Sequence, residues 1–288
     1  MAVGLAVVLI DLPYDIMGVK MLWWTWHDTD PNIYDRHYWV PWTSYYFHAA
    51  FAAGFTFLFH GTRRLLSSTH KFQADNFIIE LVCSLVTGMF GMALGVLQFL
   101  PLYHPLHDNF KIHTEVCVLI FLGAYALLVW AADRNPSKEA RPSGKRGWFD
   151  VLCLIPLVHY AFFFLLSIYG QPEKMKSTGL HEPIGDCSAI SPVYTAFGQV
   201  LSKRTFLCAS DFDEQYFNFE CLNEVPPNAS DWYTVCGTPF PNHVEYMIVV
   251  GAECIMGLFI YFNMLYRGGA QPGPPKITLK SKSKGKRE

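Results

Sequence analysis

Charge is scarce in this chain. Asp, Glu, Lys and Arg together make up 16% of its 288 residues, well below the ~25% of soluble domains. That scarcity argues against an ordinary water-soluble domain and points to a bilayer as solvent. Paired-cysteine spacing is missing too: no CxxC occurs, which weighs against a zinc site built on cysteines. No HExxH or other recognised ligand motif is present,. Residues 2–19 have no basic leader and no small-residue cleavage site, so they do not read as a signal peptide. No internal repeat is clear, which leaves little to support a transporter built on inverted repeats. No nucleic-acid partner is expected, and no cofactor is specified.

Apolar sequence, by contrast, is abundant: 51% of residues are hydrophobic and 16% aromatic. Five blocks approach the ~20 apolar residues that span a bilayer, roughly 42–60, 77–100, 114–132, 149–169 and 244–266. A sixth, 2–19, is short and interrupted by Asp11, Pro13 and Asp15; it reads as an incomplete first helix or a re-entrant segment. The expected fold is an all-α membrane protein, a bundle of about six transmembrane helices with a disulfide-stapled extracytosolic loop. The expected organisation is helices 1–5 with their connectors over 1–169, the loop over 170–243, the last helix over 244–267 and a basic tail over 268–288. The glycines of GMFGMALG (88–95) suit close helix packing in lipid.

Charge sorting orients the bundle. Arg63, Arg64 and Lys71 lie in one connector, and Arg134, Lys138, Arg141, Lys145 and Arg146 in another; the tail carries Arg267, Arg287 and five lysines. The positive-inside rule puts these segments, and both termini, in the cytosol. The opposite side receives 20–41, 101–113 and 170–243, the last with nine acidic against four basic residues. Cys83, Cys117, Cys153 and Cys254 fall in apolar blocks, as core thiols do. Cys187, Cys208, Cys221 and Cys236 fall in the long loop, where four cysteines imply two disulfides in one of three pairings. Asn228-Ala-Ser230 is a glycosylation sequon in the same loop. Lys284 and Lys286, fifth- and third-last, resemble the dilysine retrieval signal of the endoplasmic reticulum. The alternatives are a basic tail on anionic lipid and residence in the plasma membrane.

Candidate chemistry concentrates on the extracytosolic side. WWTWHDTD (23–30) places three tryptophans beside His27, Asp28 and Asp30, with Asp35 and His37 following; HPLHDNFKIHTE (104–115) adds His104, His107, Asp108 and His113. The tryptophans fit an interfacial belt. The imidazoles and carboxylates suit general acid–base work or, for His37, Asp108 and His113, weak metal ligation. The plainer reading is solvated polar residues at helix ends. Pro105 predicts a turn between His104 and His107. Asp11 and Asp15 are four apart, so a continuous helix sets them on one face, where two close carboxylates can share a proton. His48, Glu80, His159 and Glu253 are further polar groups inside apolar blocks, each expensive in lipid.

The run DLPYDIMGVKMLWWTWHDTDPNIYDRHYWVPWTSYYFHAAF (11–51) resembles an uncharacterised family of multi-pass animal membrane proteins, a domain of unknown function. It is more distantly similar to the carotenoid-hydratase-like membrane proteins of microbes. Asp11, Pro13, Gly18, Trp24, Trp26, Tyr38, Pro41 and Ser44 stand in places comparable to that family's motif. Here Asp and Pro are not adjacent, and Ser44 replaces an Asn. The resemblance implies a bundle that handles lipids or isoprenoids.

Two functions follow as expectations. One is an enzyme acting on a lipid or isoprenoid at the extracytosolic mouth, with Asp11, Asp15, His27, Asp28, His104 and His107 as acids and bases. The other is a non-enzymatic accessory, chaperone or assembly subunit whose 170–243 loop meets a second membrane protein. In either case membrane lipids are partners.

Overall fold

The structure, a computed structural model, describes residues 1–26, 31–67, 69, 73–134 and 151–266. His27, Asp28, most of the second basic connector, and Lys284 and Lys286 lie outside the described residues. Six long helices account for most of the described chain: α1 (Ala2–Lys20), α2 (Trp42–Leu66), α3 (Phe77–Tyr103), α4 (Thr114–Ala132), α5 (Val151–Tyr169) and α6 (His243–Tyr266). Their backbones satisfy their own hydrogen bonds, the condition a lipid solvent imposes. Five of them (α1, α3, α4, α5 and α6) are long and apolar enough to cross a membrane. Phe77, Met89, Leu97, Leu127, Ile255 and Phe259 stand exposed on their faces. An apolar surface of this extent belongs to an integral membrane protein.

The ranking of the helices differs from the one read in the sequence. The short first block crosses by length and apolarity, whereas the 42–60 block, extended to Leu66, is not among the five. The reason is position. α2 packs against α1, α3 and α4, and its first three turns bury Thr43, Ser44, Tyr45, Tyr46, Ala49, Ala50 and Ala53. A helix with much of its surface against protein needs less apolarity than one facing lipid. Gly54, Gly91 and Gly95 let α2 and α3 close up; a methyl at Gly95 would run into the Phe51 ring. At the far end Arg63 of α2 pairs with Glu80 in the first turn of α3, and Asn76 caps that helix by accepting from the Ile79 N–H at 3.0 Å.

Nor is the chain all-α. The long connector folds as a β cap in which β3 (Lys176–Leu180), β7 (Trp232–Gly237) and β6 (Phe217–Asn218) form one antiparallel sheet. β4 (Ile190–Tyr194) and β5 (Val200–Arg204) form a separate hairpin. A smaller ladder joins β1 (Arg36–His37) to β2 (Val40–Pro41). Two disulfides, Cys187–Cys208 and Cys221–Cys236, staple the cap in sequential pairing. Cys83, Cys117, Cys153 and Cys254 are free and buried. Tyr216, Phe217, Ile184, Leu207 and Val235 give the cap its own buried core, without which two short sheets would be marginal.

The cap is tied down at several points. Lys20, buried at the end of α1, donates to Thr238 Oγ1 at 3.1 Å and to the Pro239 carbonyl at 2.9 Å. The Tyr216 hydroxyl accepts from the Trp26 N–H at 2.8 Å and lies 2.9 Å from the Trp26 carbonyl. Beside the cap, the Tyr38 hydroxyl donates to Glu245 in the first turn of α6 at 2.6 Å. The His104 ring also meets Phe197 of the cap edge-on at 5.6 Å between centroids, so the 20–41, 101–113 and 170–243 connectors meet at one end of the bundle.

Candidate functional site

Two groups of imidazoles and carboxylates lie at or near the capped end. The outer one is built on Asp35. Its carboxylate accepts from the Thr114 N–H at 2.9 Å and the Thr114 hydroxyl at 2.6 Å, which satisfies an otherwise unpaired donor at the start of α4,. His113 Nε2 lies 3.3 Å and His107 Nε2 3.7 Å from the same carboxylate. Burial raises the affinity of Asp35 for its proton, but the two Thr114 bonds and the His113 and His107 imidazoles outweigh it. They hold the carboxyl below its usual range,. Asp108, almost wholly buried, bridges His104 Nδ1 and His107 Nδ1, the latter at 2.8 Å.

This outer geometry departs from the turn expected at Pro105. His104–Asn109 continue α3 as a π-helical turn; Pro105 has no N–H to give, and past it the bonding shifts by one residue, the Phe110 N–H reaching the Pro105 carbonyl at 3.2 Å,. The 20–41 and 101–113 connectors do touch, but through Asp35. His37 instead lies 3.2 Å from the Tyr45 hydroxyl and stacks on Trp42. Burial pushes its imidazole below the ordinary histidine value, partly offset by Glu115. A groove of about 320 Å³ opens beside Asp35 and His107, walled by Tyr34, Lys203, Arg204 and Asp213. Most of its lining residues are charged or polar, and no tryptophan is among them. Trp24 instead packs on Gly18, where a methyl would strike its ring. Trp23 is exposed beside Tyr14, Phe162 and Phe163, as a belt residue would be,.

The inner group lies between α1 and α2. At 1.5 Å per residue Asp15 stands about 7.5 Å and Asp11 about 13.5 Å along α1 from Lys20, so both carboxylates are within the helical span. His48 Nδ1 is 2.6 Å from Asp11 Oδ2 and 3.3 Å from Ser44 Oγ. The Ser44 hydroxyl donates to Asp15 Oδ2 at 3.0 Å, and Asp15 is 4% exposed. One ligand atom each from Asp11, Asp15 and His48 lies within 4.8 Å of the others. Ser44 and Asp11 both approach Nδ1 of His48. A serine-nucleophile triad needs them on opposite ring nitrogens, so this group is not such a triad. Among the described residues, Nε2 is the nitrogen left to face a substrate.

The backbone of α1 is held around these carboxylates. Pro13 cannot donate to the Leu9 carbonyl four residues earlier; the Tyr160 hydroxyl of α5 does so instead, at 2.9 Å. His159 Nε2 donates to the Ile10 carbonyl at 2.8 Å, and the Tyr261 hydroxyl of α6 to Ala6 at 2.6 Å. The helix therefore runs unbroken through Pro13, and Asp11 and Asp15 stay on one face. Glu253 of α6 has a buried oxygen without a hydrogen-bond partner among the described residues, and Tyr45 lies within electrostatic reach of Glu253, Asp11 and Asp15. His48 is the member of this group that sequence reasoning passed over as a site residue. The signal available was its four-residue spacing from Ser44, which puts both on one face of α2.

No curated protein and no solved structure matches the chain. A family model described as a domain of unknown function (DUF7802) matches residues 1–266, and the chain belongs to that family.

Proposed function

We propose that this chain is a membrane-embedded enzyme that moves a proton on a lipid or isoprenoid substrate, with Asp11, Asp15 and His48 as its acid and base. One observation carries the reading: two carboxylates and an imidazole share one site inside the helical span, at a depth where ionisable groups are costly unless used or paired,. Asp11 orients the His48 ring through Nδ1, and Ser44 orients Asp15. The resemblance of 11–51 to carotenoid-hydratase-like proteins suggests hydration of an alkene. The acid's proton and the alkene's π pair would form a C–H bond. The resulting cation would take the oxygen of a water, and that water's proton would return to the carboxylate. In this reading the capped end faces away from the cytosol, both termini are cytosolic, and the endoplasmic reticulum is the favoured membrane. Glycan attachment at Asn228, which is exposed, tests the orientation by an Asn228→Gln mobility shift. Replacing Lys284 and Lys286 by Ser and imaging the protein tests the address.

The test of chemistry is a lipid comparison. Cells expressing the wild-type chain, Asp15→Asn or His48→Gln at matched protein levels are extracted and their lipids profiled. A species consumed or formed only with the wild type is the expected result. Identical profiles across all three would overturn the reading. The second reading, an accessory subunit, is favoured by the cap: Leu180 and Trp232 on one sheet, and Ile190, Tyr194 and Val200 on the hairpin, are apolar and exposed. Identical profiles would move the search to a partner for that surface.

A further inference from the structure

We propose that Asp11, Asp15 and His48 bind a divalent transition-type cation, of the zinc or manganese class, between α1 and α2. The proposal deepens the acid–base reading, and its catalytic meaning rests on that reading; the binding itself does not.

Donor chemistry is the first argument. Two carboxylates and one imidazole, with no sulfur, suit zinc, manganese or iron(II) rather than copper(I). Calcium and magnesium prefer all-oxygen shells of six or more ligands and fit poorly. Three protein ligands with room for a fourth are the pattern of catalytic zinc sites.

Geometry is the second. Ligands held about 2.0–2.2 Å from a common ion stand about 3–4 Å from one another. The three donor atoms lie within 4.8 Å of one another, about an ångström wider than a loaded site. The side chains of His48 and Asp11 are 37% and 16% exposed, so the group is not sealed on all sides by protein.

Charge is the third. Two ionised carboxylates with a neutral imidazole carry −2 in an apolar span, where uncompensated charge is expensive. A divalent ion cancels it, and deprotonated ligands are the form that binds metal. Without the ion, neutrality takes two protons, placed on both carboxylates or on His48 and one carboxylate. Ser44 has a defined part in the metal-bound form: its hydroxyl already donates to Asp15 Oδ2 at 3.0 Å, the second-layer bond that fixes a ligating carboxylate. Asp35 and its histidines do not compete as a site, because the Asp35 carboxylate is occupied in capping α4.

The ligands also tie the chemistry to the packing. Asp11 and Asp15 belong to α1, His48 to α2. An ion would cross-link the helix held by Tyr160, His159 and Tyr261 to the helix at the centre of the bundle. It would also bind a water at the open position, whose pKa a zinc ion lowers to about 7. With the ion bound, that water would give and take the proton in place of the carboxylate, and Asp11, Asp15 and His48 would act by holding the ion.

The experiment uses the full-length chain without a polyhistidine tag, purified in detergent, stripped with chelator, loaded with Zn²⁺ or Mn²⁺ and freed of excess ion. Metal is counted by mass spectrometry. A parallel sample is loaded with Co²⁺ and its visible d–d bands recorded. About one ion per wild-type chain is expected, as for a single three-ligand site. Asp11→Asn, Asp15→Asn and His48→Gln should each lose most of it, while Asp35→Asn should retain it. The Co²⁺ bands should appear in the wild type and vanish with Asp15→Asn. A wild-type chain that stays metal-free, or variants that load as fully as the wild type, would overturn the proposal. Metal binding with unchanged lipid profiles would support the site and count against the enzymatic reading. Changed profiles with no bound metal would sink only the metal.

Discussion

The outer and inner groups of this protein use the same residue types to different ends. At the mouth, Asp35 caps α4 and holds His113 and His107, while Asp108 holds His104 and His107. Each carboxylate there has a structural partner. Between α1 and α2, Asp11, Asp15, Ser44 and His48 terminate no helix and bridge no connector. Their bonds join α1 to α2, but a helix pair in lipid also packs through small residues, so the contact alone does not call for two carboxylates and an imidazole. Density of His and Asp in sequence is therefore a poor guide to a site. Depth, combined with the lack of a structural duty, is a better one.

The contrast is sharpest under substitution. Asp15→Asn and His48→Gln preserve shape and should lower turnover by about 10²–10⁴-fold, the range for removing a general acid or base. Asp35→Asn should leave turnover within a few-fold, measured as product lipid per unit of folded protein. Equal losses from both groups would erase the distinction between them.

Next in size is the cap. Each disulfide closes a short loop and contributes about 2–4 kcal/mol. Cys221 and Cys236 join the β6–β7 region, whereas Cys187 and Cys208 close the segment that contains the β4–β5 hairpin. Reduction should raise hydrogen exchange across 176–237 before it does so in α1–α6, because the helices hold no disulfide among the described residues. Simultaneous melting of cap and helices would show that they are one cooperative unit.

Much of the fold was legible in the sequence, and the exceptions have physical causes. Apolar blocks marked the helices because a lipid-facing helix must be apolar on its exposed side. α2 misled in rank because its neighbours are protein. The β cap was not read as strands because β3, β4 and β5 are five residues long and leave one face exposed, so their apolar alternation is faint. Asp11 and Asp15 were legible as a pair by their spacing. Their pairing with His48 was not, since no local pattern says which two helices will face each other. The same gap explains why Asp35, rather than His37, turned out to join the two connectors.

A smaller effect separates Asp35 from its surroundings. Asp35→Ala removes the acceptor for two Thr114 donors and leaves His113 Nδ1, which accepts from the Glu115 N–H at 3.2 Å, as the remaining side-chain cap of α4; losing a cap acceptor costs about 0.5–2 kcal/mol. Thermal unfolding followed by intrinsic fluorescence should show a lower midpoint, with Asp35→Asn intermediate because its amide oxygen can still accept. An unchanged midpoint in Asp35→Ala would mean that the outer carboxylate is not structural, and the argument for the inner site by contrast would weaken.

Acidification should probe the mouth most gently. His37 is held neutral by burial, so the folded state binds its proton less readily than the unfolded chain. Its contribution is intact above the ordinary histidine pKa of about 6.5 and is lost as pH falls from there toward the lowered folded value. Asp35 is shifted the same way: its stabilisation persists above about 3.9, the ordinary aspartate value, and fades as pH falls further,. Stability should thus be flat from pH 8 to 7, decline modestly toward pH 5 through His37, and decline again below pH 4 through Asp35. Trp42, stacked on His37 at 4.8 Å between ring centroids, gives the first step a reporter. The wild-type minus Trp42→Phe fluorescence difference should dim as the imidazole charges. His37→Gln should flatten the decline between pH 7 and 5 while leaving the one below pH 4. If both declines survive in His37→Gln, the first belongs to another group, and the buried His37–Tyr45 contact is not what the mouth loses in acid.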